Sequence, residues 1–408
     1  MYIEKYYRLR YIYILSIVNC FLMTIIFKVD VSFDTYTYID AWSSFQDGII
    51  DKWRTPIYPV FLGLMKAFFG INFLYFVVAI QHLFYLVSIR YLYLLMRDYI
   101  TNKNISFFLT LFYALYPSVI TYNCCIVTET FAVSGIIFLL YSTSKLYKTQ
   151  KWRFGLFSFI WLFFLIFLRP AVMYLLPVLM VFWLIVAIER KKECCMSVVG
   201  GITSCAFVSI FLLVYMAMFK CCYGVFAPSG IGLINKYAIA KAANIIVYEK
   251  ENNGLLFYQE AENYINNVGL KSFSDSLDRS ISLNKDKYIK RLWQNARNAS
   301  EFNLFEPSYS NGIIGAVTNI MGVKIKIIYF IFIIYGIVLL RWKNLQKDVS
   351  FFSYLFFMIG LCNYILIIIA SPGEYGRLSI PAIPVYLIMI GQLLEMIKIK
   401  RVSEVIYI

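Results

Sequence analysis

The chain has 408 residues, of which 61% are hydrophobic and 15% charged, with 38 Lys+Arg against 23 Asp+Glu and a formal net charge of +15. A mean hydropathy of +0.70 with so little charge excludes intrinsic disorder, which needs low hydrophobicity. It also excludes a soluble multidomain enzyme, which needs more polar surface, and the scattered basic clusters exclude a nucleic-acid partner.

A spanning helix uses about 20 apolar residues. Ten apolar runs are predicted as spans: 9–27, 72–96, 105–122, 128–147, 154–168, 171–188, 196–219, 325–341, 350–370 and 379–397. The first lacks a small-residue cleavage pattern and is not taken as a signal peptide. Between the first two spans, Ile57 to Phe69 is apolar but short and carries Lys66, so it is predicted as a helix lying at the outer interface. The region 220–324 alone resembles soluble protein, with helical periodicity over 233–248, 255–268 and, more weakly, 284–302. The expected fold is all-α, a polytopic membrane helix bundle of about 10 spans. It divides into a membrane domain over 1–219 with an outer first loop at 28–71, a small helical outer region at 220–324, and C-terminal membrane helices over 325–408.

Loop charge predicts the orientation. With the N-terminus in the cytoplasm, eighteen Lys and Arg residues fall at the termini and in the even connections, while the short outer connections carry only Arg169 and Arg377. The expected location is the cell (plasma or inner) membrane, with both termini cytoplasmic. The nine cysteines include three adjacent pairs and form no CxxC spacing, so no zinc site is predicted. They read as small packing residues, with a bridge between the Cys124 and Cys221 regions left open.

Ionisable residues at membrane depth mark function. In this topology Asp30, Asp34, Asp40, Arg54, Glu129, Arg169, Glu374 and Arg377 all lie at outer ends of spans. Solvated loop charge and structural ion pairing are the bland alternatives. Arg169 could simply snorkel, Glu129 is expected to pair with an arginine, and His82 is expected to be neutral and bonded to backbone. If 34–40 is helical, Asp34 and Asp40 point to different faces, which favours one catalytic carboxylate over a pair.

These residues sit in a recurring order. Asp34 follows the first span, and Arg54-Thr55-Pro56-Ile57-Tyr58-Pro59 comes before the next helix. Gln81 and His82 lie early in the second span. Leu115-Tyr116-Pro117 leads to Thr128 and Glu129, Leu168-Arg169-Pro170 follows, and Glu374, Gly376, Arg377, Leu378, Pro381 and Pro384 close the series. The pattern resembles the GT-C superfamily of integral-membrane glycosyltransferases, in the branch of the protein mannosyltransferases and the lipid A aminoarabinose transferase. Leu378 stands where that family usually has an aromatic residue. The resemblance covers about residues 10 to 397 except 220–324.

It implies a transferase that moves a sugar from a polyprenyl-phosphate carrier to a glycan, glycolipid or protein acceptor at the outer membrane face, in cell-envelope synthesis. Asp34 matches the family's first-loop aspartate and would be the general base, with Asp30 and Asp40 as alternatives. Arg377 and Arg54, then Arg169, would hold the lipid phosphate. Tyr58, Glu129 and Glu374 complete the expected substrate-binding set. No residue is assigned to a metal, and a divalent ion is left open, since Asp30, Asp34 and Glu129 follow no spacing rule for one. An O-antigen-type polymerase or ligase and a lipid or solute transporter fit less of the pattern. The first lacks an Asp before an Arg-Thr-Pro stretch, and the second needs mid-membrane charge or an internal repeat.

Overall fold

A computed structural model describes residues 2–190, 195–247, 257–301, 325–341, 347–370 and 375–406. Among them the structure is helical, with one isolated bridge between Asp30 and Cys125. In chain order the helices are α1 (Tyr2–Phe27), α2 (Phe33–Gln46), α3 (Ile57–Phe69), α4 (Phe73–Tyr99), α5 (Lys103–Leu115), α6 (Pro117–Cys124), α7 (Glu129–Thr149), α8 (Trp152–Leu168) and α9 (Leu175–Arg190). There follow α10 (Cys195–Tyr223), α11 (Ile231–Ala242), α12 (Phe257–Val268), α13 (Leu270–Leu283), α14 (Lys285–Glu301), α15 (Ile325–Arg341), α16 (Lys347–Ala370), α17 (Tyr375–Ser379) and α18 (Ile383–Ile406).

Six described helical segments are long and apolar enough to cross a membrane, or seven if α5 and α6 together make one span. Ten were expected. The difference from six lies in four elements. Helix α8 and the Phe330–Leu339 part of α15 are apolar but short. Helix α7 carries Ser134, Ser142, Thr143 and Ser144 and is buried along most of its length, so its solvent is the rest of the bundle. The run 105–122 is broken by 42° between α5 and α6. Pro117 forces this, because the residue before a proline is pushed to extended backbone, and Tyr116 has φ −69° and ψ 116°.

Residues 57–99 form one apolar stretch but not one rod. A straight helix would separate residues 58 and 81 by about 34 Å, yet the Tyr58 hydroxyl donates to Gln81 Oε1 at 3.0 Å. The Phe69 and Phe76 rings stack with centroids 3.8 Å apart. The chain therefore reverses at Gly70, whose φ of +57° suits glycine, and α3 packs back along α4.

Close helix contacts need specific glycines. A Cβ on Gly63 in α3 would lie 2.1 Å from the Trp42 ring of α2, and one on Gly201 in α10 equally close to buried Trp183. Gly63→Ala should cost about 1–3 kcal/mol through overpacking and lower the thermal unfolding midpoint in detergent. Gly336→Ala, which meets only ordinary 3.6 Å contacts, should leave that midpoint unchanged or raise it.

Helices α11 to α14 gather around a second core centred on Phe219, Tyr237 and Phe273. Three of them overlap the expected helical runs. Helix α13 was not expected, because its serines favour turns, but Leu270, Phe273 and Leu277 form a buried stripe. The described cysteines are free, Cys124 buried and Cys221 exposed, so the two regions are not bridged.

Candidate functional site

Backbone hydrogen bonds place the first carboxylate. Asp30 N donates to Cys124 O at 3.0 Å, and Ile126 N to Asp30 O at 3.0 Å, tying the segment after α1 to the one before α7. Helix α2 then starts at Ser32, whose N–H donates to Thr35 Oγ1 at 3.0 Å. Thr35 Oγ1 in turn donates to Ile126 O at 3.0 Å. Asp34 lies in the first turn of α2 and Glu129 opens α7, positions where the helix dipole favours a carboxylate.

Three arginines reach these two acids from separate elements. Arg54 follows a turn in which Asp51 Oδ1 accepts from Trp53 N at 2.8 Å and Arg54 N at 2.6 Å. Its Nε donates to Thr37 Oγ1 at 2.9 Å, its Nη2 to Asp34 Oδ1 at 2.6 Å, and its guanidinium lies 4.2 Å from the Tyr38 ring centroid. Arg169 ends α8 just before Pro170, in extended backbone, and its Nη1 reaches Glu129 Oε1 at 2.6 Å. Arg377, on α17, donates from Nη2 to Asp34 Oδ2 at 2.6 Å and from Nε to Glu129 Oε1.

The result is one chain of ion pairs, Arg54–Asp34–Arg377–Glu129–Arg169. Three guanidinium groups face two carboxylates, a net charge of +1. Burial by itself would raise the Asp34 pKa, but Arg377 and then Arg54 outweigh it and hold the carboxyl well below the usual range. Both Asp34 oxygens are occupied by arginine.

A cavity of about 640 Å³ opens beside this chain, lined by Asp34, Tyr38, Trp53, Arg54, Thr55, Arg169 and Arg377. The start of α11, Tyr288 and Leu292 of α14, and Leu366, Ile369 and Ala370 of α16 line it as well. Arginine at the rim of a partly apolar cavity can bind a phosphate bidentately, and a carboxylate beside it can take a proton.

The structure thus brings Asp34, Arg54, Arg169 and Arg377 to one cavity. Glu129 is fully buried behind them and holds two of the arginines. Arg169 is 8% exposed and ion-paired, so it is not a snorkelling end residue. Tyr58 does not line the cavity: it is buried, edge-on to Tyr38 at 4.8 Å, with its hydroxyl committed to Gln81. Asp40 is exposed, and Asp30 Oδ2 faces Cys125 Sγ at 3.0 Å. His82 bonds through Nε2 to the Thr24 hydroxyl at 2.9 Å rather than to backbone. Glu374 lies outside the described residues. Thr37, Tyr38 and Asp51, which orient Arg54, were not expected. A Thr one turn after the acid, at Asp34–Thr37, was the available signal.

A divalent ion does not fit these residues. Among the described residues no three His, Cys, Asp or Glu side chains group to hold a metal, and Asp34 and Glu129 are engaged by arginine.

No protein-family model matches the chain, and no curated protein sequence matches it. Solved structures do. One is the archaeal oligosaccharyltransferase AglB from Archaeoglobus fulgidus, in complex with an inhibitory peptide and a dolichol-phosphate. It superposes with a TM-score of 0.55 at 12% identity, over 99% of this chain and 52% of that one. Another is the Archaeoglobus fulgidus oligosaccharyltransferase tethered to an acceptor peptide containing the NVT sequon, with TM-score 0.53 and 11% identity, over 94% and 49%. At these identities the likeness is one of fold alone. The chain spans about half the length of the structures it matches.

Proposed function

We propose that this chain is a membrane glycosyltransferase that moves a sugar from a polyprenyl-phosphate carrier to a hydroxyl or amide acceptor at the outer membrane face. The observation that carries it is the ion-pair chain Arg54–Asp34–Arg377–Glu129–Arg169 along one cavity. A glycosyl phosphodiester has one negative charge, which matches the net +1 of the chain. A fold shared with proteins that handle dolichol-phosphate and acceptor peptides supports the same reading.

The residues divide the work as follows. The donor phosphate draws Arg377 and Arg54 away from Asp34, and the guanidinium groups then hold it as leaving group. Asp34, relieved of its partners, becomes more basic and takes the proton of the acceptor O–H or N–H. The acceptor atom bonds to the anomeric carbon as the bond from that carbon to the phosphate oxygen breaks, and the polyprenyl phosphate departs with the electron pair. Glu129 positions Arg169 and Arg377.

In proteoliposomes the protein should bind a polyprenyl monophosphate or diphosphate and release it from the correspondingly linked hexoses or pentoses. Absence of binding and of turnover across such a panel sinks the proposal. The outer placement is tested separately. In a cysteine-free background, Asn298→Cys should react with an impermeant thiol reagent from outside, and Lys151→Cys only after permeabilisation. The reverse labelling would put the cavity on the cytoplasmic face.

The pH dependence follows from the lowered Asp34 pKa. A depressed carboxylate contributes its stabilisation above its unfolded pKa of about 3.9 and loses it only as pH falls through the folded value. Because kcat/KM reports the free enzyme, it should stay flat on the acid side down to about pH 5. An acid limb between about pH 5 and 7 would assign the base to another group.

A further inference from the structure

The start of α11 lines the same cavity with polar groups that the transfer just described leaves unused. Ser229 lines the cavity and is 3% exposed, and its Oγ has no hydrogen-bond partner. It precedes Gly230, the N-cap of α11. The leading N–H groups of a helix have no intrahelical acceptor and carry the positive end of its dipole. Among the described residues, neither Ile231 N nor Gly232 N bonds to a backbone carbonyl, and both residues line the cavity. Gly232 has nothing within 4 Å of a would-be Cβ, so the space before it is open. Lys236, one turn further on, also lines the cavity, with its ammonium paired to Asp278.

This part of the lining is fixed to the arginine side. Gly230 N donates to Lys52 O at 2.7 Å, two residues before Arg54. A Cβ on Gly230 would meet the Trp53 ring at 2.8 Å, so the first turn of α11 rests on the segment that carries Arg54.

A phosphodiester donor already balances the net charge of the arginine chain. A buried hydroxyl and a helix N-terminus in the same cavity, tied to the Arg54 segment, suit a second phosphate. We infer that Ser229 and the first turn of α11 form a subsite for the second phosphate of a polyprenyl-diphosphate donor. This rests on the function proposed above and specifies the donor class, a diphosphate in preference to a monophosphate.

The test uses the full chain in nanodiscs. Binding of polyprenyl monophosphate and polyprenyl diphosphate of equal chain length is read by intrinsic tryptophan fluorescence, to which Trp53 contributes. The wild type should bind the diphosphate about tenfold more tightly. Ser229→Ala, which removes the hydroxyl, should reduce that preference. Gly232→Asp, which places a carboxylate in open space, should bring the ratio to one or below. Equal affinities in the wild type, or an unchanged ratio in both variants, would overturn the subsite. If the monophosphate still binds in such a case, and Arg377→Ala weakens it, the proposed function stands without the subsite. If neither lipid binds the wild type, the proposed function itself fails.

Discussion

Arg377→Ala is expected to lower donor turnover by about 100- to 1,000-fold, the range found when one preorganised charge stabiliser is removed. Among the described residues, Arg377 is the one side chain that bridges both acids. Its loss splits the chain into two pairs, Arg54 with Asp34 and Arg169 with Glu129. Each buried carboxylate keeps a guanidinium, so the protein should still fold, without the penalty of about 3–5 kcal/mol for an uncompensated buried charge. Arg377→Lys is the sharper test. An ammonium keeps the charge but cannot fork onto Asp34 and Glu129 or onto two phosphate oxygens. If Arg377 only closes the α17 turn against the bundle, Lys should serve equally well. Equal turnover of wild type and Arg377→Lys would therefore remove Arg377 from the reaction.

Asp34→Asn should separate binding from chemistry. The amide preserves size and still accepts a hydrogen bond, but it cannot take a proton at neutral pH. General base catalysis supplies about 100- to 10,000-fold, and turnover should fall by that order. Removing the carboxylate also frees Arg54 and Arg377 from a competitor for phosphate. Polyprenyl phosphate should therefore bind Asp34→Asn at least as tightly as it binds the wild type. A variant that lost both binding and turnover would point to a misassembled site. One with near-normal turnover would move the base elsewhere, with Asp30 and Asp40 poorly placed to take over: Asp30 faces Cys125 and Asp40 is exposed.

Much of the helical layout was legible in the sequence, because apolar runs bounded by proline and glycine have little choice. Ile57–Phe69, between Pro56 and Gly70, and Ile325–Arg341 form helices over the expected residues. The number of spans was less legible. The length of an apolar run does not tell whether lipid or protein surrounds it, and α7 is wrapped by other helices despite its hydroxyl residues. The reversal at Gly70 was also hidden, since 57–99 reads as nearly continuous apolar sequence. At the site, the charged residue types were visible but their pairing was not. Glu129 was expected to meet an arginine; that it meets two depends on where α8 and α17 end. Tyr58 was misplaced because its neighbour Gln81 lies on the other arm of a hairpin. Ser229 carried no signal at all, since its isolation from any partner exists only in three dimensions.

The backbone staple between Asp30 and Cys125 has a consequence for how this sequence can vary in length. Asp34 lies four residues beyond one end of the staple, and Glu129 four residues beyond the other. Inserting or deleting one residue at 31–33 would turn Asp34 about 100° around the axis of α2, out of reach of Arg377. The same change at 126–128 would turn Glu129 away from Arg169. Insertions near Gly48, where a Cβ would meet nothing, move neither acid. Scanning single-residue insertions through 28–50 should therefore divide the first loop into an intolerant half next to the staple and a tolerant half before Asp51.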